Sequence, residues 1–178
     1  MPKFINYITS NIRTIIVLCF LLFLAIYSTY KYNQTYEIQY SYEGIKYQAN
    51  NLNSGTPVSI EIDGVYKKGY FGNADTFTGN ILIDGALCYS QYRHKSHEYA
   101  FNNYNMGLIE AEGFKGDLFI GDMFNEITIE LHEIDTKGLE SFSYMNGWLI
   151  SALSSNREQA TQISNRLIQR LHKDIIIE

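Results

Sequence analysis

The sequence predicts an α+β protein: an N-terminal transmembrane helix, then a mainly antiparallel β-sheet domain with one C-terminal amphipathic helix packed on it. Three observations predict it. No residue from Thr14 to Tyr30 is charged, and Ile15–Ile26 is unbroken apolar. Through the middle of the chain, apolar residues alternate with polar ones, and the runs are separated by turn pairs such as Asp84-Gly85. Near the end, Ala160, Ile163, Leu167 and Leu171 recur at steps of three and four, the spacing of one helix face.

The apolar segment divides the chain into a cytoplasmic tail (1–12), an anchor (13–31) and an extracytoplasmic domain (33–178). At 1.5 Å per residue the charge-free stretch spans roughly 25 Å, near the short limit for a bilayer core. No small-x-small pattern follows it, so an uncleaved anchor is expected rather than a removed signal peptide. Tyr27, Tyr30 and Tyr32 suit the headgroup level. Lys3, Arg13 and the amino terminus precede the segment and Lys31 follows it, a bias that places the N-terminus inside. The expected lipid partner is therefore the bilayer, through 14–30.

Each strand rests on its own pattern. Tyr36, Ile38, Tyr40 and Tyr42 alternate with Glu37, Gln39 and Ser41, then Glu43-Gly44 reads as a turn before a second strand at Ile45–Ala49. Val58, Ile60 and Ile62 alternate with Ser59 and Glu61. Asp63-Gly64 reads as a hairpin turn into Val65–Phe71, and Asp84-Gly85 as another between Asn80–Ile83 and Ala86–Tyr89. Gln91–Glu98 is polar and reads as a loop. One strand is expected near Gly107–Ala111, and others at Phe114–Ile120, Ile127–Leu131 and Trp148–Leu153, with turns at Gly121-Asp122 and Asp135–Gly138. Ser155 with Glu158 fits a capping box, which opens a helix over 155–173.

Composition narrows the function classes. The 178 residues include 15 Tyr and 10 Phe but only 2 Pro, as strands joined by tight turns require. All 19 acidic residues follow the anchor, so the domain is acidic and repels phosphate backbones; no nucleic-acid partner is expected. Cys19 lies in the anchor and Cys88 is alone in the domain, which rules out an intradomain disulfide and any cysteine-based zinc site. Cys88 is expected as a small buried apolar residue.

Phe77–Gly85, with its F-x-G-x-I-x-I-D-G pattern, resembles a group of uncharacterised single-pass membrane proteins of low-GC Gram-positive bacteria. So does the run Leu149–Ala152 followed by Asn156–Ala160. The resemblance implies a source and a topology, and it carries no assigned activity.

Candidate chemistry is thin. His94, His97 and His132, with Glu98, Glu133 and Asp135 nearby in sequence, offer a zinc donor set. The first two are three apart rather than the four of a helical zincin pair, and Arg93 and Lys95 flank them with repelling charge. A solvated loop is the preferred reading. Asp63 and Asp84 read as turn residues rather than an acid–base pair, and Glu110 and Glu112 as a solvated face. No nucleophile elbow or phosphate loop is present. The expectation is a membrane-anchored binding or envelope-assembly module without catalysis or cofactor. It would meet an envelope protein or glycan through exposed tyrosines or a sheet edge. The alternative is a zinc-dependent envelope hydrolase using His94, His97 and His132.

Overall fold

The computed structural model describes residues 12–32, 34–70, 73–91, 97–134 and 139–178. The chain divides into two compact units that meet between Gln34 and Thr35. In the first, α1 (Ile12–Tyr32) is a single helix whose stretch Thr14–Tyr32 is long and apolar enough to cross a membrane. Its large side chains, Leu22, Phe23 and Ile26 among them, are exposed, as a helix solvated by lipid would leave them.

In the second unit, the described residues form twelve short and long strands, which make an antiparallel, nearly closed barrel and one small satellite ribbon. β1 (Thr35–Gln48) pairs with β2 (Thr56–Lys67), and β2 with β3 (Asp75–Ile83). β3 turns at Asp84-Gly85 into β4 (Ala86–Leu87); both turn residues have positive φ, at 49° and 77°. This is the hairpin the Asp-Gly signal predicts. β5 (Tyr89–Ser90) crosses to pair with β7 (Met106–Ala111), while β6 (Glu98–Phe101) pairs with β3. From β7 the sheet continues through β8 (Phe114–Ile120) and β9 (Ile127–Leu131). It then reaches β12 (Trp148–Ala152), which returns to β1. A turn at Asn102–Asn105, with Asn102 N–H on the Met106 carbonyl, brings β6 beside β7 and nearly closes the circle. The satellite ribbon is β10 (Glu133–Ile134) with β11 (Glu140–Ser141).

Period-two alternation sorts side chains to the two faces of this wall. Ile38, Ile60, Ile81, Leu118, Ile129 and Ile150 point inward and fill the barrel. Phe124, from a single 3-10 turn, plugs it: its ring lies 4.9 Å from Phe77 and 5.6 Å from Phe101. Outward-pointing Ile45, Tyr47, Phe119 and Leu149 form a second core beneath α2 (Arg157–Ile168), against Ala160, Ile163 and Leu167. The predicted C-terminal helix is thus present and packed on the sheet. It is shorter than 155–173, and Leu171 follows it as a partly buried residue of the same core.

Three local expectations are corrected. Glu43-Gly44 is no turn: β1 runs straight through it. A Cβ on Gly44 would lie 2.7 Å from the Ser151 carbonyl oxygen, so glycine is there to let β12 approach. Asp63-Gly64 is no turn either, since β2 is continuous. Gly64 stands opposite Gly79, and a Cβ on either would meet the Phe77 ring at 2.9 Å. The helix cap is Asn156 rather than Ser155. Asn156 Oδ1 accepts the Gln159 N–H at 3.0 Å, and the Gln159 side chain reaches back to Ser155 N–H at 3.1 Å. The cap is thus one residue later than expected, and Gln159 closes on the residue in front of it rather than on the cap's own N–H. The single strand expected near Gly107–Ala111 is accompanied by a second, β6. The turn expected at Asp135–Gly138 lies outside the described residues.

Candidate functional site

Two surfaces of the barrel unit stand out. The first is an edge. β1 has 14 residues, all but the last two paired with β2, yet β12 pairs only with Gly44–Gln48 on its other side. Among the described residues, no strand pairs with Thr35–Glu43 on that side. Nine residues make an open edge of roughly 30 Å. Open edges are commonly blunted by lysine, proline or brevity, and the sequence TYEIQYSYE has no lysine and no proline. Tyr40 is exposed and its ring stacks on Tyr42 at 5.2 Å. The Tyr42 hydroxyl donates to the Phe124 carbonyl at 2.9 Å, which fixes the pair.

The second surface lies outside β8 and β9, beyond the end of α2. Asp117 and Glu130 stand opposite each other across these strands. Glu130 is 2% exposed, and one of its carboxylate oxygens has no hydrogen-bond partner. Burial, and then the charge of Asp117, push its carboxyl up to about 8; a hydrogen bond from Tyr144 pulls the other way. Tyr144 comes from the segment 142–147, and its ring meets Phe142 at 5.0 Å and His172 at 5.7 Å. Burial, with Glu130 next to it, raises the Tyr144 hydroxyl well above its ordinary value. Asp117 holds His132 Nε2 at 3.1 Å. His132 then borders a cleft of about 340 Å³, lined also by Glu110, Phe114, Lys115, Ile134 and Glu140. Lys115 Nζ donates to Glu140 at 2.7 Å across it.

Chemically, this second cluster can hold and release a proton: it places a buried acid, whose proton burial favours, opposite a second carboxyl group. Among the described residues, no group of three or more His, Cys, Asp or Glu is arranged to hold a metal ion. Of the histidines considered for zinc, His94 lies outside the described residues. His97 rests on the ring of Tyr89 at 5.3 Å. Tyr89 stands opposite Glu110, Glu110 opposite Lys115, and the His132 N–H bonds the Lys115 carbonyl. That is three strand spacings, about 14 Å along the sheet, so His97 and His132 are not gathered at one point.

The other candidates fall in place individually. Asp63 sits within β2, and Asp84 accepts the Ser59 N–H at 2.9 Å as a turn residue does. Glu110 borders the cleft, while Glu112 is exposed in the β7–β8 turn. Cys88 is fully buried, and burial pushes its thiol up to about 12, the inert state expected for it.

Glu130 and Asp117 were not visible as a pair from sequence. Glu130 alternates with Ile129 and Leu131 and so reads as a water-facing position. Its cover arrives from Tyr144, fourteen residues on, in a stretch without periodicity.

No family model matches the chain, and neither a curated protein nor a solved structure matches it.

Proposed function

We propose that this protein is a membrane-anchored binding module, without catalysis of its own, whose barrel unit works outside the cell. The observation that carries the reading is the unblunted edge Thr35–Glu43, unpaired among the described residues. An extended polypeptide can add there as a further strand, with main-chain hydrogen bonds giving affinity and alternate side chains giving selectivity. The side chains in reach indicate the partner's chemistry. Glu37 and Glu43 are exposed and favour basic residues, and Tyr40 offers an aromatic surface to an apolar one. Only residues 33 and 34 separate the edge from α1, so the partner would be another envelope protein with an extended membrane-proximal segment. The excess of positive charge before the anchor supports the orientation.

Two measurements test this. Protease added to intact cells should digest the barrel unit while α1 stays in the membrane fraction; a protected barrel would reverse the orientation. A photo-crosslinking residue placed at Gln39 of the membrane-embedded full chain should give a protein adduct of discrete mass. The same residue at Gln162, on the exposed side of α2, should give none. If Gln39 gives no adduct, or only one that Gln162 shares, the edge is not the binding surface.

A further inference from the structure

The cluster outside β8 and β9 plays no part in the edge reading, yet it departs furthest from what packing alone requires. A buried carboxyl with an unpartnered oxygen is costly unless something holds its protonation state. Here the facing groups are few. β8 presents Asp117, in register with Glu130, and Lys115 two residues further along the same face. His132, the residue after β9, is turned toward Asp117. β12 presents only Leu149 opposite Glu130. The segment 142–147 presents Tyr144, and His172 packs against Tyr144 from the stretch after α2. Glu140 of β11 is taken up by Lys115. No cation is therefore paired with Glu130 among the described residues, and its nearest charged neighbour is a carboxylate.

The segment above it is tied down through its tyrosine. The Tyr144 hydroxyl bonds Glu130 itself, and Phe142 and Tyr144 pack against the second core. Three further hydrogen bonds reach it: the Gln48 side chain on the Asn146 carbonyl (2.8 Å), Ala49 N–H on the Gly147 carbonyl (2.9 Å) and the Asn50 side chain on the Tyr144 carbonyl (3.4 Å). Met145 at its tip is 78% exposed. Toward the N-terminus it runs directly into β11, whose Glu140 lines the cleft.

We propose that Glu130, Asp117 and Tyr144 form a proton-operated latch. With a proton on Glu130, the segment 142–147 lies closed over β9. When that proton leaves to solvent, buried Glu130 becomes a carboxylate facing the half-buried Asp117; their repulsion and the lost hydration of Glu130 outweigh its hydrogen bond from Tyr144, the segment lifts to let water reach Glu130, and β11 is freed to widen the cleft. The elevated affinity of Glu130 for its proton places the transition on the alkaline side of neutrality. Asp117 sets that position through its charge, and His132 steadies Asp117.

The test uses the full chain in detergent micelles. Amide exchange of 142–147, corrected for the intrinsic effect of pH, should rise at least tenfold between pH 6 and pH 9.5, while the amides of α2 stay protected. Glu130→Gln should hold the segment closed across that range. Asp117→Asn should move the transition to lower pH, because Glu130 then ionises without a neighbouring charge. His132→Asn and His172→Phe should each keep an alkaline transition. Infrared spectra of the wild type should show a protonated carboxyl band that disappears over the same range. A pH-independent wild type, a transition that survives Glu130→Gln, or one that vanishes in either histidine variant would overturn the latch. If Glu130→Gln does not fold, the infrared band and the Asp117→Asn shift still decide it.

Discussion

Leu167→Ala tests whether α2 is part of what holds the barrel unit together. Leu167 is fully buried, and its helix face lies on Ile45, Tyr47, Phe119 and Leu149. Burying a leucine contributes about 1.5–3 kcal/mol, and the cavity left by truncation adds to the loss when neighbours cannot collapse into it. Here they cannot move far. The sheet residues beneath belong to β1, β8 and β12; Ile45, Phe119 and Leu149 lie where their strands are paired on both sides, and Tyr47 is paired with Leu149 and held by its hydroxyl on Ser164. The expected cost is therefore in the middle to upper part of the usual range of about 2–5 kcal/mol. Residues 34–178 would be unfolded in urea, with fluorescence of the sole tryptophan, Trp148 on β12, as the reporter. With a slope of about 2 kcal/mol per molar, the midpoint should fall by roughly 1.7–2.5 M. Gln162→Ala, on the exposed side of the same helix, should cost less than about 0.5 kcal/mol. Equal midpoints for the two variants and the wild type would refute the argument, since α2 would then contribute nothing to the core.

Glu130 should make stability fall as pH rises: its carboxyl is raised to about 8 in the fold, so its contribution is whole below the unfolded value near 4.5 and is lost as pH climbs toward 8. Thermal melting of wild type between pH 5 and pH 8 should show that loss, and Glu130→Gln should flatten it. Tyr47→Phe removes the hydroxyl that donates to Ser164 Oγ at 2.6 Å, beneath α2, and should cost about 1 kcal/mol by urea unfolding, because Ser164 keeps Ser151 as a partner. In a Cys19→Ala background, a membrane-impermeant thiol reagent should label Cys88 only as fast as the unit unfolds, and Cys88→Ser should cost about 1–2 kcal/mol through a buried hydroxyl.

The two Asp-Gly pairs show where local pattern suffices and where it fails. Asp84-Gly85 is a turn and Asp63-Gly64 is the middle of a strand. Both sit between alternating apolar runs, and nothing within five residues tells them apart. What separates them is Gly79, fifteen residues from Gly64, whose own missing side chain makes room for the Phe77 ring over both. Gly44 is the same case, with β12 as the distant partner. Glycine marks either a positive φ or a close approach, and only the fold says which. By contrast, α1 was legible from an apolar run long enough to span a bilayer, β12 from a short apolar run, β9 from its alternation, and the buried stripe of α2 from steps of three and four.

The candidate sites failed to show in the sequence for a different reason. Alternation reports which side of a strand is apolar, and it leaves open what covers the other side. In β9 both sides are covered: Ile127, Ile129 and Leu131 point into the barrel, Thr128 lies under α2 against Ser151 and Ser164, and Glu130 lies under the segment 142–147. A strand that reads as half-exposed is therefore wholly buried. Its polar residues meet partners from elements far along the chain: Thr128 the hydroxyls of Ser151 on β12 and Ser164 on α2, and Glu130 the hydroxyl of Tyr144. The free edge of β1 escaped notice in the complementary way. Its residues read as an ordinary strand, and the vacancy beside them exists because β12, at five residues, ends long before β1 does. Both surfaces are thus consequences of mismatch between neighbours: a short strand beside a long one, and a polar position beneath a cover that no local pattern announces.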